Sequence, residues 1–252
     1  MRAVLCSALA LFLAAELVAQ PPPQSLPSDR RNFVACPILR DTKANPCWLA
    51  QYKGETYFLG SLGGVTDDFH PPQLDHQVLV EGTVAPGPRV CGGIRLSPVK
   101  LSVLGELAPT CNTMLPTEDG IDAPAPQPKG KPDSWVMTDG PGSLTLFFEF
   151  GDDFMSVPAG SALKDLVKYY FNVTGATRIE VEAFRGATLL SDGNVLTEHT
   201  GLAQERLAKV VVILKGLGLP ERVISARTSE VVPKPDGVND QRSRRVVLKV
   251  QQ

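Results

Sequence analysis

The stretch "DGIDAPAPQPKGKPDS", residues 119–134, constrains this chain more than any other feature. It is rich in proline, glycine and small residues and has no apolar period, so it reads as an extended linker. All the cysteines beyond residue 6 precede it, and the long amphipathic patterns follow it. The expected organisation is a segment 1–19, a cysteine-containing β-rich domain over 32–118, a linker over 119–142 and a second domain over 143–252.

The opening "MRAVLCSALALFLAAELVAQPPP" has a single positive charge at Arg2, a short apolar run and small residues before a proline-rich break. These are the parts of a secretory signal peptide, with cleavage expected after Ala19. The apolar run is too short to span a bilayer. No later segment approaches the roughly 18 apolar residues of a membrane helix, so no transmembrane segment is expected after signal removal.

Export makes sense of the remaining cysteines. Cys36, Cys47, Cys91 and Cys111 are even in number and spaced 11, 44 and 20 residues apart. In an oxidising compartment they read as two disulfides, with three connectivities open. The local pairing Cys36–Cys47 with Cys91–Cys111 is the simplest. A zinc site is the rival, but its ligands normally include a short Cys-x-x-Cys spacing.

Basic and acidic residues number 25 and 27, for a net charge of −2. With no polybasic stripe, nucleic acid is not an expected partner.

In the first domain "HQVLVEGTV" alternates Val78, Val80, Gly82 and Val84 against Leu79, Glu81 and Thr83, the period of a half-buried strand. "ETYFLG", "RVCGGIRL" and "KLSVLGEL" are further strands, which suggests a small barrel or sandwich. Trp48, beside Cys47, is expected to pack on a disulfide. His70, Asp75 and His76 form the one cluster that invites a metal or acid–base reading, and no third ligand accompanies the histidines. Nucleophile-elbow, phosphate-loop and zinc-protease motifs are absent, so no enzyme and no cofactor is expected.

The second domain reads more clearly. "LTLFFEF" is a strand and "AGSALKDLVKYYFNV" a helix. "TRIEVEAF" is a strand with Ile179, Val181 and Ala183 inward, followed by a long loop, "RGATLLSDGNVLTEH". In "TGLAQERLAKVVVIL" the residues Leu202, Leu207, Val210, Val211 and Leu214 recur at helical steps, with Arg206 near the edge of their face. "LPERVISAR" and "RRVVLKV" are strands. The fold class is α+β, in the order β-α-β-α-β-β, with two helices on one sheet face.

These motifs resemble the C-terminal domain of the OmpA-like family, which also occurs in peptidoglycan-associated lipoproteins and flagellar stator proteins. The resemblance rests on "LFFEFGDD", on the series Leu202, Ala203, Arg206, Leu207, Val210, Leu214 and Gly218, on "GLPERVISA" and on "SRRVVLKV". It implies a non-enzymatic envelope protein, periplasmic or on the periplasmic face of a Gram-negative outer membrane. Its OmpA-like domain would bind peptidoglycan at the diaminopimelate of the stem peptide and tether the first domain to the wall. The first domain would contact an outer-membrane or periplasmic protein.

By position Arg206 is the family's carboxylate-binding arginine, suited by its planar fork of donors. Helix-start amides are expected to assist it. The family's aspartate after the second strand falls at Gly186. Asp192, fourteen residues before Arg206, is the expected substitute, although "SDGN" is also a strong turn sequence. His199 stands at the family's asparagine and Arg244 in its closing Arg-Arg pair, completing the expected site. Two readings of Arg206 stand: a ligand cation, or a rim arginine whose stem covers the core while its head meets water or Glu205. The alternative function is a protein–protein interaction module with a remodelled ligand loop.

Overall fold

The structure is a computed structural model, and it describes residues 26–61, 71–121 and 133–252. The signal segment, His70 and most of the proline-rich stretch lie outside the described residues. Among those described, no helix is long and apolar enough to cross a membrane.

The cysteine-bearing part is a seven-stranded sheet. Its strands are β1 (Arg30–Ala35), β2 (Pro37–Arg40), β3 (Cys47–Tyr52), β4 (Glu55–Ser61), β5 (His76–Val84), β6 (Ile94–Leu107) and β7 (Thr113–Leu115). Their spatial order is β1-β5-β6-β4-β3-β2-β7. A single residue, Cys36, separates β1 from β2, yet these strands stand near opposite ends of that order. The sheet must therefore curl to bring its ends together. The curl lets Phe33 of β1 stack on Tyr52 of β3, with ring centroids 4.6 Å apart, and encloses Trp48, Tyr57, Leu59, Val78, Val80 and Leu96.

Two disulfides fasten this sheet, and their pairing corrects the local one expected from spacing. Cys36 bonds Cys111 and Cys47 bonds Cys91. Cys36 lies at the β1–β2 corner, where β7 pairs in parallel with β2. That pairing brings the chain beyond β6 back to the corner, and it makes the long-range partner nearer than the sequence neighbour. Trp48 is buried in the sheet's core beside Cys47.

The second sheet contains β8 (Trp135–Met137), β9 (Ser143–Phe147), β10 (Arg178–Phe184), β13 (Ile224–Ser229) and β14 (Arg245–Gln251), in the order β13-β10-β14-β9-β8. The edge strand β8 lies inside the interval read as linker, so the second sheet starts earlier than composition alone suggests. Its pairing with β9, Trp135 opposite Leu146, supplies order that proline content does not reveal.

Helices α1 (Val157–Asn172) and α2 (Leu202–Gly216) pack on this sheet. The Ser156 side chain caps α1 by accepting from the Ala159 amide, with Pro158 in the first turn. Gly218, at φ +97°, follows the end of α2 in the left-handed conformation that favours glycine. The core between helices and sheet joins Leu163, Leu166, Ile179, Val181, Val210, Leu214 and Leu248. The loop before α2 is not irregular throughout: it contains a two-stranded hairpin, β11 (Ala187–Leu189) and β12 (Val195–Thr197).

The hairpin joins the two sheets. Asn32 of β1 donates through its side chain to the carbonyls of Leu189 and Gly237, at 2.9 and 2.8 Å. Its backbone N–H donates to Ser191 Oγ, and its carbonyl accepts from the Ser191 amide. The Phe150 amide donates to Ser102 Oγ. β5 is consequently covered on both faces from Val78 to Gly82, including Glu81, which strand alternation assigns to solvent.

Candidate functional site

Arg206 is neither at a rim nor open to a ligand. It is 0 % exposed, in the middle of the α2 face that also buries Leu202, Ala203, Leu207, Val210 and Leu214. A buried guanidinium needs a counter-charge and acceptors for five N–H groups, and this one has both. Its Nη1 and Nη2 donate to the two carboxylate oxygens of Glu198, at 2.9 and 2.6 Å. Its other N–H groups donate to the carbonyls of Asp152 (2.9 Å), Glu149 (2.9 Å) and Phe184 (3.2 Å). The Phe148 ring lies against the guanidinium, 5.0 Å from carbon to centroid.

Glu198, 2 % exposed, sits between β12 and α2. Besides both arms of Arg206, its carboxylate accepts from the backbone amides of Gly186 (2.7 Å) and Gly151 (3.0 Å). One arginine, two amides and an aromatic ring therefore form a complete carboxylate receptor, and the carboxylate it holds belongs to the chain itself. Periodicity carries no sign of Glu198. The available clue is a physical one: an arginine within an apolar helix face is almost never buried unpaired.

The same packing crowds position 186, where the sequence has glycine. A Cβ on Gly186 meets the Ser243 side chain at clash distance and the Arg244 Cγ at 2.8 Å, so any side chain at position 186 must displace these neighbours.

Arg244 is 1 % exposed and is also engaged within the chain. Its Nη2 donates to Glu81 Oε2 at 2.6 Å, and its Nη1 donates to Thr188 Oγ1, which in turn donates to Glu81 Oε1. The first-sheet acid and the second-sheet arginine thus form a buried ion pair across the junction of the two sheets.

The remaining expected residues lie elsewhere. Asp192, at the hairpin turn, accepts from the Asn194 amide and side chain. The amide bond holds its carboxyl below the ordinary value. It lines a cleft with Arg31, Lys53 and Tyr57 of the first sheet, separate from Arg206. His199 is exposed, with Nε2 3.8 Å from Glu205 and Nδ1 near its neighbour's carbonyl. The four residues read together as one site therefore fall in four separate environments, because the hairpin carries Asp192 to the first sheet while Glu198 takes the place at Arg206.

Of the first-domain cluster, His76 Nδ1 is bonded to the Leu104 carbonyl at 2.8 Å, and His70 is outside the described residues. Among the described residues no three His, Cys, Asp or Glu side chains gather as a metal site.

A sheet in the order β13-β10-β14-β9-β8, two helices and an arginine aimed at a carboxylate from the second helix define a domain that resembles the OmpA-like class. No protein-family model matches the chain, and no curated protein matches it. Solved structures do. It is similar to the periplasmic domain of Helicobacter pylori MotB at 18 % identity, over 44 % of this chain and 75 % of that one, with a TM-score of 0.34. The OmpA-like domain of FopA1 from Francisella tularensis matches at 14 % identity, over 46 % of this chain and 80 % of that one, with a TM-score of 0.32. A putative MotB-like protein of Desulfovibrio vulgaris matches at 17 % identity, over 44 % and 76 %, with a TM-score of 0.33. The fold itself stands on the strand order and register described above.

Proposed function

We propose that this chain is an exported, non-enzymatic protein of the cell envelope whose OmpA-like domain associates with peptidoglycan. The observation that carries this is the carboxylate receptor of Arg206, Gly151, Gly186 and Phe148, built at the position where the family resemblance implies recognition of a stem-peptide carboxylate. Two cystine bridges support export to an oxidising compartment. The first domain is then held to the wall through the buried Glu81–Arg244 contact rather than by a slack linker.

In this reading a diaminopimelate carboxylate enters by displacing Glu198 from Arg206. The exchange is one carboxylate for another at Arg206, and it requires Glu198 to leave both arginine arms and the Gly186 and Gly151 amides. The test is co-sedimentation of the mature protein with diaminopimelate-type sacculi at low salt, with competition by a soluble stem peptide. Binding that is competed by the peptide, and not by its amidated form, is the expected result. Wild-type protein left in the supernatant sinks the reading.

A second reading takes the occupancy of the receptor as permanent. With Glu198 in place as a permanent occupant, the domain is an OmpA-like scaffold that contacts another envelope protein. That reading expects a specific protein crosslink and no pelleting with sacculi.

A further inference from the structure

The two sheets meet through polar contacts, and their apolar cores stay separate. The first core gathers residues between 33 and 101, the second residues between 135 and 250, and they share none. We infer that the seam between β1 and the β11–β12 hairpin is a latch: closed, it keeps Glu198 on Arg206, and loosened, it frees Arg206 for an incoming carboxylate. The arrival of a wall carboxylate rests on the reading proposed above, whereas the latch does not.

The hairpin is fixed at both ends. At its base, the Glu198 amide donates to the Gly186 carbonyl at 3.1 Å and the Glu198 carboxylate accepts from the Gly186 amide at 2.7 Å. This pair continues the ladder that sets Ala187 opposite Thr197, so the hairpin's register places Glu198 beside Arg206. Toward its turn the hairpin is bonded to β1. Asn32 donates from its side chain to the Leu189 carbonyl at 2.9 Å and from its backbone to Ser191 Oγ at 2.8 Å. The Ser191 amide donates back to the Asn32 carbonyl at 2.7 Å. Thr188 adds a bond to Glu81 of β5. From the second domain, Asp240 accepts from the Leu189 amide and Arg244 donates to Thr188.

A two-stranded ribbon has little stability by itself, and here the bonds to β1 supply part of what orders it. Hydrogen bonds of this kind open at small net cost because water replaces them, whereas an apolar seam resists opening in proportion to its area. The Glu81–Arg244 pair links the sheets without the hairpin, so the seam can loosen while the first domain stays held. Coupling of this kind is reciprocal. Whatever draws β1 off the hairpin favours an empty receptor, and a carboxylate in the receptor weakens the seam.

The test follows amide hydrogen exchange in the mature full chain. The Gly151 N–H is the reporter, since Gly151 is exposed and its amide is bonded to Glu198 Oε1 from a loop outside the hairpin. Asn32→Ala removes the side-chain bonds to Leu189 and Gly237. It is expected to speed exchange at Gly151 and Gly186 about tenfold, the factor for one or two net hydrogen bonds. The amide of Leu166, on the buried face of α1, should not change, which separates release of the latch from general destabilisation. Ser191→Ala, a milder change at a half-buried site, should act in the same direction and stands in if Asn32→Ala does not fold. Arg89→Ala, at an exposed ion pair of the first domain, should leave Gly151 unchanged. Unchanged exchange at Gly151, or equal acceleration at Gly151 and Leu166, overturns the latch. On the wall reading the loosened variants pellet with sacculi severalfold better than wild type, and pelleting no better than a wild type that binds overturns release toward the wall. If neither wild type nor variants pellet, the wall reading alone fails, and exchange still decides the latch.

Discussion

Replacing Glu198 with glutamine tests the buried receptor directly, because it removes the charge while keeping the shape. In the native arrangement one carboxylate oxygen accepts from Arg206 Nη1 and Gly186 N, and the other from Arg206 Nη2 and Gly151 N. Glutamine turns one of these oxygens into an NH₂ group. Whichever way the amide is turned, two buried donors then face a donor. Each orphaned group costs about 1–3 kcal/mol, and a buried cation stripped of its counter-charge costs about 3–5 kcal/mol when one partner is removed. These estimates overlap rather than add, since both count the loss at Arg206, and about 3–5 kcal/mol is expected in all. For a chain of this size each kcal/mol moves the midpoint by roughly 2–4 °C, so Tm should fall by about 10 °C. Thermal unfolding followed by circular dichroism measures it. Glu205→Gln, an exposed change on the same helix, serves as control and should move Tm little. A midpoint for Glu198→Gln within 2 °C of wild type, about the shift of a minor surface change, would refute the reasoning.

The other expectations follow from particular contacts. Glu81→Gln breaks the buried pair with Arg244 and should destabilise the chain by about 3–5 kcal/mol, with faster proteolysis between the two sheets as a second readout. Gly186→Ala places a Cβ against Ser243 and Arg244 and should lower stability by about 1–3 kcal/mol through overpacking, whereas an open loop here would tolerate it. Peptide mapping without reductant should recover Cys36 joined to Cys111 and Cys47 joined to Cys91. Recovery of Cys36 joined to Cys47 would contradict the curled sheet.

Asp240 gives a pH dependence with a definite sign. Burial pushes its carboxyl above the ordinary 3.8, against three backbone N–H bonds that lower it. Between the unfolded and folded values the native state therefore binds more protons than the unfolded state, and stability falls as pH rises through that window. The advantage of wild type over Asp240→Asn should be largest below about pH 3.8 and shrink toward neutrality. Melts across that range check it, and an advantage that grows with pH would reverse the assignment.

Much of the second domain was legible in residue order. The periodicity of "LAQERLAKVVVIL" specifies both a helix and the face it buries, since side-chain direction along a helix follows from local geometry. The alternation of "TRIEVEAF" likewise places Ile179, Val181 and Ala183 inward, as found. Such patterns say which face is covered but not what covers it. Glu81 alternates outward and is nevertheless buried, because the second sheet closes over that face of β5.

What only the tertiary structure decided was the choice of partners. Arg206 could meet water, Glu205 or a ligand as far as its helix is concerned. Chain packing brings Glu198 to it, and in a low-dielectric interior the nearest carboxylate takes both arms of the guanidinium. Arg244 finds Glu81 across 163 residues, and Cys36 finds Cys111 across 75. No local pattern encodes separations of that kind. Sequence alone determined the two helices and the strands β9, β10, β13 and β14 of the second domain, the family resemblance and the arginine. Folding determined that the arginine already holds a carboxylate.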